Sequence, residues 1–224
     1  MNNEDQEERL PGELTIVRAA LKTPRAAAIA GIVFSIVYIT ILFLIRISVP
    51  PSPLDAGAWL SGRWKYVDLA LQLMPFAGIA FLWFMGVIRD RIGHREDRFF
   101  STVFLGSGYL FVGMLFSASA VAGTTIMLYG AAPEKVIESG MYSFARALSY
   151  QFMNIFGIKM AAVFMAMTST LLLRTGVVPR WIAILGYPLA LALLLCSGIF
   201  HWFPLFLPLW VLMVSLYILI SNLA

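Results

Sequence analysis

Six long apolar stretches separated by polar connections restrict this chain more than any other feature of its sequence. They cover residues of about 25–49, 66–88, 99–129, 152–173, 181–200 and 204–220. A helix that crosses the hydrocarbon core of a bilayer needs about 20 predominantly apolar residues, rising 1.5 Å each. Every stretch supplies roughly that length. None shows the strict apolar–polar alternation of a half-buried strand, and lipid-exposed backbone must close its hydrogen bonds within helices or a closed barrel. The expected fold is an all-α polytopic integral membrane protein of six transmembrane helices, with residues 1–224 forming a single domain. Composition points the same way. With 60% hydrophobic and 12% charged residues, the chain lies far from the 45–50% and about 25% of soluble domains. A soluble enzyme, a disordered chain and a disulfide scaffold are excluded together.

The flanks have their own character. Residues 1–12, opening MNNEDQEERL, read as a flexible acidic tail. Residues 13–22 place Leu14, Val17 and Leu21 on one helical face with Arg18 and Lys22 elsewhere, the pattern of a short interfacial helix. Thr23 and Pro24 then fit an N-cap and a first helical residue. Orientation follows from the placement of Lys and Arg. Arg9, Arg18, Lys22, Arg25, Arg89, Arg91, Arg95, Arg98, Arg174 and Arg180 fall on one side, ten in all. Arg63, Lys65, Lys135 and Arg146 fall on the other. Ten against four, alternating consistently, predicts cytoplasmic N and C termini in a bacterial inner membrane. It also assigns the net charge of +4 to topology, so nucleic acid is not an expected partner.

Charges inside spans are costly and functional by default. Counted at 1.5 Å per residue, Lys159 lies roughly 5 Å outward of its helix centre, and Arg46 and Asp68 lie roughly 13 Å outward of theirs. Equal depth and opposite sign suggest an Arg46–Asp68 pair. Gln72 sits one turn below Asp68, and Gln151 shares much of the Lys159 face, with Ala162, Ala166 and Thr170 along the same stripe. Arg46, Asp68, Gln72, Gln151 and Lys159 therefore form the expected substrate- or ion-binding set, lining a polar pocket in the outer half of the bundle. Trp59, Trp64, Trp181, Trp202 and Trp210 fit an aromatic belt at the membrane interfaces. The small-residue run SASAVAGTT is expected to allow close helix packing.

The connection between the second and third spans reads GVIRDRIGHREDRFF. Its Gly86, Asp90, Arg91, Gly93 and Arg95 resemble the motif that major facilitator superfamily transporters carry between their second and third helices. In that family the loop is thought to steady one conformation during transport. The resemblance covers ten residues, and those transporters have about twelve spans. PFAGIAFLWFMGVIRDRIG and EDRFFSTVFLGSGYLF resemble small uncharacterised six-span bacterial membrane proteins. That resemblance implies a fold and no activity.

Three function classes follow. The leading one is a transport, channel or solute-binding subunit. The second is a structural or regulatory subunit of a membrane complex, and an intramembrane enzyme comes third. No catalytic residue, metal site or cofactor is expected. His94, His201 and the lone Cys196 form no ligand cluster, and LGSG at Leu105 to Gly108 misses a protease-like Gly-x-Ser-Gly by one position. Expected partners are the lipid bilayer and either further copies of the chain or another membrane subunit.

Overall fold

The computed structural model describes residues 24–52, 54–92, 98–195 and 202–221. The acidic tail, the interfacial helix, Thr23, Gly93, His94, Arg95, Cys196 and His201 lie outside the described residues. Helix α1 runs Pro24–Ser48, α2 Trp59–Gly62, α3 Trp64–Ile92 and α4 Arg98–Ala131. Helix α5 follows at Pro133–Glu138 and α6 at Met141–Tyr150. A π-helical segment, Gln151–Gly157, joins α6 directly to α7, Ile158–Thr175. The last elements are α8, Arg180–Leu195, a 3-10 turn at Phe203–Leu205, and α9, Phe206–Ser221.

Local chemistry sets these bounds. Pro24 opens α1, where its missing N–H is no loss. Gly176 ends α7 in the left-handed conformation at φ 65°, and its N–H returns to the Leu172 carbonyl at 3.1 Å. Helix α4 has 34 residues and so measures about 50 Å, well beyond a hydrocarbon core of about 30 Å.

Among the described residues, five continuous helical segments are long and apolar enough to cross a membrane: Ala28–Ser48, Trp64–Arg89, Phe99–Ala131, Met141–Thr175 and Phe203–Ser221. Arg180–Leu195 is apolar but shorter. The chain thus has the all-α fold of a multi-pass membrane protein.

The long helices pack as a ring, with α9 against α1, α1 against α3, α3 against α4, α4 against α7, α7 against α8, and α8 against α9. Aromatic side chains fill its middle. Phe81 is fully buried, with its ring centroid 5.0 Å from Phe34, 5.1 Å from Phe111 and 4.8 Å from Phe164. Phe164 also stacks on Phe104 at 5.0 Å. Tilted and offset rings at these separations suit the aromatic quadrupole.

Two helix crossings are tighter still. A Cβ on Gly186 of α8 would collide with Ser169 Oγ of α7 and lie 2.9 Å from the Trp210 ring of α9. A Cβ on Gly31 of α1 would collide with Ser215 Oγ and lie 2.8 Å from Phe84. Small residues let backbones approach where lipid gives no hydrophobic drive for helices to associate. Trp210 belongs to this packing and not to an interfacial belt: it is 1% exposed and its indole donates to the Ile182 carbonyl at 3.1 Å. Trp64, Trp181 and Trp202 are exposed.

At one end of the bundle α2, α5 and the start of α6 gather into a cap around Leu60, Val136 and Tyr142. This end also carries the candidate functional site.

Candidate functional site

Beneath the cap, α1, α3, α4 and α6 with its π extension surround a partly open cavity of about 90 Å³. One water needs about 10–15 Å³ of such space, so the cavity holds several waters or a small solute. Its existence is a matter of side-chain size. Along α4 the inward residues are Phe104, Phe111 and Leu115, then Ala118, Ser119 and Ala122. The small-residue run does not close the helices together there; it opens space between them.

The polar wall comes from one helical face. Tyr142, Arg146, Ser149, Tyr150, Met153 and Asn154 all line the cavity, at spacings of four, three, one, three and one, which keep side chains on one stripe. The last two stand on the π segment. Such wide turns are uncommon and recur at functional sites, and this one donates Asn154 to the cavity. On α3, Pro75 has no N–H to give the carbonyl of Leu71, a cavity-lining residue four positions earlier.

Two arginines enter the cavity wall, in different electrostatic states. Arg146 is paired with a carboxylate. Its Nε donates to Asp55 Oδ2 at 2.9 Å, and its Nη2 donates to the carbonyls of Pro50 at 2.9 Å and Ser52 at 3.3 Å. Asp55 also accepts from Tyr142 OH at 2.5 Å and from the Gly57 N–H at 2.8 Å, while Trp59 Nε1 donates to Tyr142 OH at 2.9 Å. Burial pushes the Asp55 carboxyl up, but the hydrogen bonds from Tyr142, Arg146 and Gly57 outweigh it and hold it below its ordinary value. Gly57 itself takes φ 78°, and a Cβ there would press on the Tyr142 ring at 3.0 Å. The network fastens the connection after α1 to α6.

Arg46 is different. Among the described residues its one hydrogen bond runs from Nη2 to Asn154 Oδ1 at 3.3 Å, and it makes no ion pair. A guanidinium carries five donors, so most of its capacity is unspent. Ser149 Oγ is buried without a partner among the described residues. Its neighbours in the wall are satisfied: Ser119 donates to Leu115 O at 2.8 Å and Thr125 to Val121 O at 2.8 Å.

Of the five residues expected from sequence to line a pocket, Arg46 does so. Its expected partner does not reach it: Asp68 instead accepts from Gln72 Nε2 at 2.7 Å, one turn along α3. Gln72 and Gln151 are exposed. Lys159 is half-buried and makes no hydrogen bond or ion pair among the described residues. The stripe joining Gln151 to Lys159 assumes an α period, whereas the intervening π turn takes more residues per turn and breaks that phase. In the loop motif, Gly86, Asp90 and Arg91 belong to α3, which continues to Ile92. A Cβ on Gly86 would meet open space. Ser107 of the LGSG string is spent on the helix backbone, donating to Val103 O at 2.7 Å.

Sequence reasoning missed Arg146, Asp55, Tyr142, Ser149 and Asn154. The four on the long helix were visible as a polar stripe, whereas the carboxylate that pairs with Arg146 lies 91 positions away in sequence.

Comparison with protein-family models, with curated proteins and with solved structures finds no match to this chain.

Proposed function

We propose that the chain is a solute-binding subunit of a membrane transport or channel system, and that the cavity beneath the cap is its binding site. The observation that carries this reading is a partly open cavity among four helices, to which α1, α4 and α6 with its π extension contribute polar groups, some with unspent hydrogen-bonding capacity. Helix-enclosed cavities with a few convergent polar groups are the usual form of small-ligand sites. In the topology that goes with it, α8 completes six spans, both termini are cytoplasmic, and the cavity opens toward the outer face of a bacterial inner membrane. Support for that orientation comes from the ten-to-four distribution of Lys and Arg. A full pathway uses a second copy or another membrane subunit.

The test is solute uptake and solute-dependent thermal stabilisation of the purified protein in proteoliposomes. Ala122→Leu, which fills the cavity, is expected to abolish both while leaving the protein folded; retained uptake overturns the reading. Single cysteines at Asp55 and Arg180, labelled from either side of the membrane in a Cys196→Ala background, test the orientation. The second reading, a structural or regulatory subunit, draws on the open surface at Gly106 and Gly113 of α4, where an added Cβ meets nothing within 4 Å. Its signature is a native complex that is lost on Gly113→Leu without change in uptake.

A further inference from the structure

We infer that the cavity takes a short-chain monocarboxylate; this rests on the solute-binding reading and adds the chemical class of the solute. The charge argument comes first. Among the described residues, two guanidiniums line the cavity and no carboxylate does. Arg146 is neutralised outside the cavity by Asp55, which leaves Arg46 with a single bond to a neutral amide. A cation withdrawn from water and left without a counter-charge is unfavourable, so an anion gains from entering. Carboxylate geometry matches a guanidinium fork with two parallel hydrogen bonds.

The second argument is the hydroxyl of Ser149, buried one helical turn from Arg146 and unpartnered among the described residues. A buried hydroxyl without a partner is unfavourable, and turning it about its Cα–Cβ bond toward the cavity that its residue lines would let a carboxylate oxygen supply the missing acceptor. Third, the remaining wall is largely apolar, with Leu42, Ile45, Val67, Leu71 and Met74 among its residues. It opposes strongly hydrated, multiply charged ions and suits an alkyl body. Size favours a small solute: a cavity of about 150 Å³ accepts benzene, so the space of about 90 Å³ among the helices seats an anion of roughly four to six non-hydrogen atoms.

Sodium butyrate is the probe, titrated into the purified full-length protein and followed by calorimetry and thermal stabilisation. The comparison probes are butyramide, butylammonium chloride, sodium dodecanoate, and sodium chloride at matched ionic strength. Butyrate is expected to bind and stabilise, and the other four to bind at least about 10-fold more weakly or not at all. Arg46→Met is expected to weaken butyrate binding about 10- to 100-fold, the loss of a charged hydrogen-bonded pair, and Ser149→Ala several-fold. Lys159→Met should leave it unchanged. Equal binding of butyramide overturns the anion assignment, tighter binding of dodecanoate overturns the size argument, and an equal effect of chloride reduces the site to a general anion site. These comparisons use the unaltered protein, so they decide the matter even where Arg46→Met fails to fold. If no probe binds while Ala122→Leu still abolishes uptake of another solute, the inference fails and the solute-binding reading stands. If Ala122→Leu changes nothing, both fail.

Discussion

The two halves of the bundle are built from the same helices and solve opposite problems. In the middle, Phe34, Phe81, Phe104, Phe111 and Phe164 interlock with ring centroids near 5 Å. Towards the cap the same helices carry Ala118, Ser119, Ala122 and Ala145, and a cavity opens. Lipid solvates apolar side chains about as well as protein does, so a membrane bundle is held by van der Waals contact and interhelical hydrogen bonds. The aromatic half uses the first. The cavity half forgoes much of it and is held at its rim by Asp55, Arg146, Tyr142 and Trp59. Packing density and polar connectivity thus trade places along a single set of helices.

Substitutions can break this division, beginning in the aromatic half. Phe81→Ala removes the ring at the centre of the cluster and is expected to cost about 3–5 kcal/mol, read by denaturant titration in detergent. A loss below about 1 kcal/mol would show that the middle is no more rigid than the cap end. Gly186→Ala is next. Its Cβ meets Ser169 Oγ and the Trp210 ring, and overpacking of this kind costs about 1–3 kcal/mol. Adding Ser169→Ala should return part of that loss.

The rim network is the corresponding target in the other half. Asp55→Asn should cost about 1–3 kcal/mol by leaving Arg146 without its counter-ion. The native protein should show the same weakness in acid. A carboxyl held below its ordinary value stabilises the fold fully above about pH 4 and loses that contribution as pH falls through the folded value. The Asn variant should lack this part of the acid dependence; an unchanged profile would move the acid-sensitive group elsewhere. The smallest stability effect belongs to Ala122→Leu, expected to change stability by less than about 1 kcal/mol because the space for it already exists. A loss as large as that of Gly186→Ala would show the cavity end to be packed as tightly as the middle.

Much of the fold was legible because hydrophobic length is a local property. Apolar runs and prolines located most of the long helices to within a few residues, from Pro24 at the start of α1 to Ser221 at the end of α9, but placed the start of the fourth at 152, eleven residues beyond Met141. The site was less legible, for three physical reasons. Charge inside a span marks a cost, not a location: Arg46 reached the cavity, whereas Lys159, with a long flexible stem, is half-buried elsewhere. Arg146 read as a loop residue because apolarity begins beyond it, yet the helix starts at Met141. The depth match between Arg46 and Asp68 ignored rotation about the helix axes. Asp68 instead turns along its own helix to Gln72.

The wide turn at Gln151–Gly157 has a consequence for how this chain tolerates change in length. A π turn accommodates an additional residue relative to α geometry, so α6 and α7 share an axis but not a rotational phase. Deleting one residue within it lets the backbone revert to an ordinary helix, and each residue of an α-helix accounts for about 100° of rotation. Arg146 would swing off Asp55 and Asn154 off Arg46, while Phe164 kept its place among the rings. The alignment of the cavity wall with the aromatic core is therefore stored in the residue count of one backbone segment. Seven individually conservative substitutions there would disturb it less than one missing residue.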